Sequence, residues 1–467
     1  MAADSPLERL RPLFYPRSIA VVGASNNPFK IGFQSLLAVK SAGFEGPIYP
    51  VNPHSEEPIQ ELQAYPSLGD IPGPVDLVVY AVPDERVLPA LRDAAAKGAR
   101  AGVVFAGGFR EVGPDGVKLQ EELVAVADSV GMRIIGPNCI GMLNARGKVN
   151  ATFAAPLSWL PSGGFSMVSQ SGGVGTSILS LMADELVGAS KFVSIGNRAN
   201  VEFADLLEYL AEDPDTSVIG LFMEGVDDAR RFLTEARHCA RIKPIVICSA
   251  GYTEKAARTS LSHTGSVASS ESVYAGAFHQ AGLIRASSVQ DLVCTGKALE
   301  MARHLAGNGV FISTHTAGPA IIIAEILEKA GVRIPSLSTD VTASIASFIP
   351  THAHSDNPLD MFAHAWTDGS LYLRSTDLAL GQEDIHCAVA VFASGVGAGP
   401  AFPAAEYAEI GRKHGKPVFL CLLGPSALNQ EMATAQAAGV CTYNTPEKLA
   451  QALSHLTHWA ESREERG

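Results

Sequence analysis

Residues 18–28 read Ser18-Ile19-Ala20-Val21-Val22-Gly23-Ala24-Ser25-Asn26-Asn27-Pro28. A short apolar run that stops at a glycine and a polar cluster predicts a buried strand ending in a sharp corner. A glycine there lets a phosphate approach the backbone N–H groups that open the next helix. A tight turn without any ligand would carry the same residues, and the second and third glycines of a dinucleotide fingerprint are absent. Lys30, just beyond, would set a cation beside such a phosphate or simply face solvent.

The pattern repeats on both sides of that corner. Apolar runs at 48–51, 77–81, 102–105 and 132–135 alternate with helical stretches such as 87–97 and 119–129. Strands separated by helices predict a parallel sheet, here a Rossmann-like domain over residues 1–150 that closes near Asn144, with 149–162 as a connector. A second block has strands at 165–169, 191–194, 218–223 and 245–248, and a helix at 289–305 leads out of it. A third has strands at 309–313, 387–392 and 417–422. The second and third domains are placed at 160–305 and 306–460, giving three α/β domains in tandem.

Bulk properties narrow the function. A chain of 467 residues exceeds one core, and 47% apolar residues suffice to bury several. A net charge of −13 argues against wrapping nucleic acid or lying on an anionic membrane. An anionic ligand must therefore be met locally, by backbone N–H groups and a few basic side chains. No apolar run reaches the roughly 18 residues of a membrane span, and residues 1–9 lack the pattern of a secretion signal. The seven cysteines are scattered without CxxC spacing, which predicts buried thiols in a reducing cytoplasm.

The loops at the carboxyl ends of the first-domain strands agree with a ligand crevice there. They carry Gly23 and Ser25, Val51-Asn52-Pro53, Val82-Pro83 and Gly136-Pro137-Asn138-Cys139-Ile140-Gly141. Ser169-Gln170-Ser171-Gly172-Gly173, between a strand and a helix, would form a nest of N–H groups with a helix dipole behind it. A plain helix cap explains the same residues. Ser262-His263-Thr264-Gly265 places a histidine among small polar residues beyond Lys255 and Arg258, the surroundings a phosphate-carrying imidazole needs. Glu224, closing the strand at 218–223, is the candidate carboxylate to fix its tautomer, or a structural glutamate. Thr314-His315-Thr316-Ala317-Gly318-Pro319 is either a second anion cup or a helix start with proline in its first turn. His352, His354 and His364 lie near one another, but their spacing specifies no metal and none is assigned.

These motifs, in this order, resemble the α subunit of the ADP-forming (NDP-forming) acetyl-CoA and acyl-CoA synthetases, relatives of succinyl-CoA synthetase. Residues 18–25 are similar to the opening of that family's CoA-binding domain and residues 136–141 to its closing loop. Residues 169–173, 195–201, 205–210, 224–225 and 262–265 match as well, so the resemblance covers nearly the whole chain. It implies a Rossmann-like CoA-binding domain followed by two flavodoxin-like parallel-sheet domains. It implies His263 as phosphoryl carrier, Glu224 as its orienting carboxylate, and Ser169, Gln170, Ser171, Gly172 and Gly173 as the phosphate-binding turn. CoA would lie against Gly23, Ser25, Lys30, Val51, Asn52, Pro53, Val82, Pro83, Asn138 and Cys139. Acid and phosphate would be small-molecule substrates. ATP or ADP, with Mg, would enter through an ATP-grasp β subunit, giving a hetero-oligomer. Two turns depart from the family pattern, Cys248-Ser249-Ala250-Gly251-Tyr252 in place of a basic one, and Ala317 in place of a glycine. They leave a second reading, a catalytically altered CoA-binding sensor or scaffold.

Overall fold

The run at 18–22 becomes β1 (Ile19–Val22), paired in parallel with β2 (Ile48–Val51) on one side and β3 (Leu77–Tyr80) on the other. The computed structural model describes residues 5–55, 57–252, 271–351, 353, 355–394, 400–425 and 429–464. Beyond β3 lie β4 (Ala101–Val104) and β5 (Arg133–Ile135), so the first sheet runs β2-β1-β3-β4-β5, all parallel. The winding direction reverses between β1 and β3. Loops leaving those two strands diverge and open a crevice at their carboxyl ends.

The corner after β1 depends on two glycines. Gly23 has φ +88°, and a Cβ on it would lie 2.4 Å from the Ala81 carbonyl oxygen. The next helix, Ile31–Ser41, sets Gly32 so close to that corner that a Cβ there would lie 1.9 Å from the Gly23 carbonyl oxygen. The helix start is thereby clamped directly onto the strand end. The close helix–strand contact that a glycine-rich fingerprint would provide thus comes from Gly32, nine positions after Gly23.

The second sheet comprises β6 (Gly141–Asn144), β7 (Val149–Thr152), β8 (Ser162–Ser169), β9 (Ala189–Ser194), β10 (Val218–Met223), β11 (Ile245–Ser249) and β12 (Ile284–Arg285), ordered β12-β11-β10-β8-β9-β6-β7. The expectation of a connector at 149–162 is corrected here. β6 and β7 form a hairpin added antiparallel to β9, and every residue of both strands is buried. Buried backbone cannot run unpaired, so this stretch must join a sheet. The hairpin turn is held by Gly147 N–H donating to Asn144 Oδ1 at 3.1 Å. One apolar core runs through both sheets, from Leu13 and Val79 to Val168 and Leu221, so residues Met1–Leu292 form one compact unit. A buried ion pair inside it, Lys191 Nζ to Asp213 Oδ2 at 2.6 Å, sits beneath the aromatic rings of Phe14, Tyr15 and Tyr209.

The second unit, Val293–Gly467, holds the third sheet. Its strands are β13 (Val310–Thr314), β14 (Leu359–Asp360), β15 (Cys387–Ala393), β16 (Val418–Leu423) and β17 (Cys441–Tyr443), ordered β14-β13-β15-β16-β17. With the hairpin set aside, all three sheets share one winding, second-first-third-fourth-fifth in chain order. The two-residue strands β12 and β14 are too short for any hydrophobic period to reveal. No helix among the described residues is long and apolar enough to cross a membrane.

Gly32→Ala should force the helix off the corner. We expect a lower urea midpoint for the first unit, corresponding to about 1–3 kcal/mol of overpacking. A midpoint equal to wild type would show that the contact is not a constraint.

Candidate functional site

The crevice at the switch point of the first sheet is a cavity of about 840 Å³. Four strand ends line it: Gly23 after β1, Val51-Asn52-Pro53 at the end of β2, Val82-Pro83 after β3, and Phe105-Ala106-Gly107 after β4. Two helices open onto it, Ile31–Ser41 capped by Lys30 and Asp84–Lys97 capped by Pro83, and in neither does the capping residue's side chain bond a first-turn N–H. Those N–H groups and dipoles suit the phosphates of an anionic ligand. Lys30, His54 and Arg86 line the same cavity, and all three are exposed. Asn52 braces the floor, its Nδ2 donating to the Ala24 carbonyl at 2.9 Å and its Oδ1 accepting from His54 N–H. Ser25 Oγ accepts from Asn27 N–H at 3.1 Å and stabilises the turn.

Asn138 and Cys139 line a different cavity of about 370 Å³, together with Gln170, Ser171, Gly172 and Gly173. Here the helix Gly172–Asp184 begins, capped by Ser171 Oγ, which accepts from Val174 N–H. Ser169 Oγ donates to the Ser171 carbonyl at 2.7 Å and shapes the turn. Gln170 is 2% exposed, and its Oε1 accepts from the N–H groups of Glu224 and Gly225 at 2.9 and 3.1 Å. The side chain of Gln170 therefore ties the end of β10 to the end of β8. Glu224 is half-buried beside this turn. Cys139 is a structural thiol: its Sγ–H donates to the Val104 carbonyl, and burial pushes its pKa up to about 12.

The two cavities adjoin. Ile31 and Phe105 line both. The loops are zipped together by Asn197 N–H donating to the Pro137 carbonyl at 2.8 Å and Ala199 N–H donating to the Gly136 carbonyl at 2.9 Å. Asn197 Nδ2 also donates to Glu111 at 2.5 Å, and Glu111 accepts from Gly108 N–H at 2.7 Å. Behind this seam Arg198 is buried, donating to the Gly225 carbonyl at 2.8 Å and to Asp227 at 3.0 Å. Burial depresses the Arg198 guanidinium, opposed by Glu202 and Asp227. Burial likewise raises the Glu202 carboxyl against the pull of Arg198. Gly32, Glu111 and Asn197 are positioning residues that spacing alone did not reveal. A glycine facing a glycine, and polar residues bonded across unrelated loops, leave no periodic mark.

His263, His352 and His354 lie outside the described residues. His364 sits in the short helix Phe362–Thr367. Among the described residues, no group of three or more His, Cys, Asp or Glu is arranged to hold a metal ion. The turn at 248–252 carries no basic residue of its own: Tyr252 OH and Ser249 Oγ are hydrogen-bonded, the Tyr252 ring lies 5.6 Å from that of Tyr274, and the Arg285 guanidinium lies 5.9 Å from the Tyr252 ring centroid. In the second unit, Thr314 Oγ1 donates to the Thr316 carbonyl at 2.8 Å ahead of the helix Ala317–Lys329, repeating the geometry at Ser169 and Ser171.

Comparison with known proteins agrees with this division. A CoA binding domain model matches residues 17–145, and a model of the succinyl-CoA ligase like flavodoxin domain matches 162–299. The chain is 36% identical over 455 residues to acetate–CoA ligase [ADP-forming] II subunit alpha of Pyrococcus furiosus, covering 96% of this chain and 97% of that one. It is 30% identical over 359 residues to 4-hydroxybutyrate–CoA ligase [ADP-forming] of Nitrosopumilus maritimus, 76% of this chain and 51% of that one. A solved dinucleotide forming acetyl-coenzyme A synthetase 1 of Ca. Korarchaeum cryptofilum, in complex with phosphate and ADP, superposes with a TM-score of 0.89 at 34% identity over 97% of each chain.

Gln170→Leu removes the acceptor that two buried N–H groups share. We expect a loss of about 1–3 kcal/mol in thermal or urea unfolding, and Gln170→Glu, which keeps an acceptor, should restore part of it. Equal effects from both variants would refute the bracing role.

Proposed function

This chain belongs to the family of ADP-forming acetate–CoA ligase α subunits, and from that premise we propose that it is the CoA-binding, phosphoryl-carrying half of an acyl-CoA synthetase, an acid–thiol ligase completed by an ATP-grasp β subunit. The observation that carries this reading is the meeting of the two cavities at Ile31 and Phe105. A thiol held in the first cavity has a short path to a phosphoryl or acyl group held at the second. Bringing both reactants into one unit converts an encounter in solution into a positioned reaction.

In this reading a nitrogen of His263 attacks the terminal phosphorus of ATP bound on the partner, with its Mg, and ADP leaves. A carboxylate oxygen of the acid then attacks phosphorus, the P–N bond breaks, and an acyl phosphate forms. The CoA sulfur attacks the acyl carbon, phosphate leaves, and the thiol proton passes to solvent. The N–H groups at Gly172 and Gly173 and the dipole of their helix stabilise the phosphoryl charge. Glu224, set by Gln170, accepts the other imidazole N–H and fixes the tautomer. The division into domains at 1–150, 160–305 and 306–460 belongs to the same reading. So does a cytoplasmic location, which seven buried cysteine thiols support. The neutral Ser249–Tyr252 turn favours a second reading, a CoA-binding sensor or scaffold without turnover.

The test mixes this chain with an ATP-grasp subunit and ATP labelled in its terminal phosphate. Acid-labile label should appear on wild type and vanish in His263→Asn. Glu224→Gln should slow its formation at least about 100-fold. CoA binding by calorimetry without any label on wild type would leave the sensor reading standing instead.

A further inference from the structure

Arg198 stands where a glycine would fit with less strain. Its φ is +58°, a left-handed backbone that a larger residue keeps only where its surroundings hold it. The turn does hold it: Arg198 N–H donates to the Ile195 carbonyl at 3.0 Å, between the Asn197 and Ala199 bonds of the seam. What its side chain touches must then account for an arginine at this position. The guanidinium is fully buried, with Nη1 donating to the Gly225 carbonyl at 2.8 Å and lying 3.2 Å from Glu202 Oε1. Nη2 donates to Asp227 Oδ1 at 3.0 Å, and Arg110 Nη1 donates to Asp227 Oδ2 at 2.7 Å. Two cations and two carboxylates thus balance around one backbone carbonyl. A planar fork serves several acceptors at once, which the point charge of a lysine does not.

The Gly225 carbonyl matters because of its neighbour, Glu224. From the β8 side, Gln170 Oε1 accepts from the N–H groups of Glu224 and Gly225. From the β9 side, Arg198 takes the Gly225 carbonyl. Three successive peptide units, 223–224, 224–225 and 225–226, therefore each give one group to a buried side chain. Gln170 alone would leave the last of them able to turn, since Gly225 has no side chain to restrict it. With both in place, the direction in which Glu224 leaves the backbone is set in advance. Such a carboxylate has to meet one imidazole nitrogen to within about 0.5 Å.

We propose that Arg198 is a positioning residue for Glu224: with Gln170 it closes a two-sided clamp on the 224–225 backbone and aims the carboxylate at the phosphoryl-carrying imidazole. The proposal rests on the role given to Glu224 in the synthetase reading above. A mere strut would support the fold equally well whether or not residue 224 carried a charge. A positioning residue acts only while there is a carboxylate to aim.

The experiment uses the chain with its ATP-grasp partner and measures how fast label from the terminal phosphate of ATP enters the chain in a single turnover. Arg198→Met should slow labelling about 30-fold. Arg198→Lys, whose ammonium reaches the Gly225 carbonyl but not Asp227 as well, should restore part of the rate. In a Glu224→Gln background the same two replacements should change the rate by less than about twofold. CoA binding by calorimetry reads the first cavity and reports which variants have folded. Losses that multiply in the double variants, a wild-type rate in every variant that binds CoA, or failure of both Arg198 variants to bind CoA would overturn the clamp. Slow labelling of Glu224→Gln alone would in each of those cases still uphold the synthetase reading. Wild type without label, or Glu224→Gln labelled as fast as wild type, would overturn the reading and the clamp together.

Discussion

Gly196 is pressed against the carbonyl oxygens of Pro137 and Asn138, where a Cβ would lie 2.3 and 2.4 Å away, and its φ is +53°. No other residue type fits both the left-handed backbone and the space. This contact joins the loop that closes the first sheet to the loop that follows β9 in the second. The seam of Asn197 and Ala199 N–H bonds depends on it, and so does the adjacency of the two cavities. Were the loops a side chain's width further apart, each cavity would survive alone and the path between them would not.

The same seam explains why the chemistry can sit on loops without being loose. Its backbone is bonded to backbone, its side-chain amides are bonded to Glu111 and Gln120, and its cation, Arg198, is buried under the β10 corner. A core continuous through both sheets makes relative movement of the two sites costly. The two cavities therefore keep a fixed geometry relative to each other before any ligand binds.

Much of this was legible in the residues. The strand–glycine corner at Val22-Gly23, the run Ser169-Gln170-Ser171, and Val51-Asn52-Pro53 all occupy the ends of strands, where a parallel sheet presents its loops. The helix Asp84–Lys97 begins three residues before the apolar period at Val87, because its first turn holds the acidic Asp84 and Glu85, which carry no such period. The β6–β7 hairpin is hidden in the sequence because four-residue strands that each carry an asparagine read as turns until their burial is known. The Ser25 hydroxyl accepts from Asn27 N–H, a turn contact that the sequence pattern alone does not reveal.

The common winding of the three sheets has a bearing on how such a chain changes over generations. Each sheet offers the same corner after its first strand, filled once by Gly23, once by Ser169 with Ser171, and once by Thr314 with Thr316. What the corner recognises is set by a handful of side chains, while the strands beneath are inherited as they stand. A substitution at one corner can thus change the groups it presents while the strands beneath, and the other two corners, keep their packing.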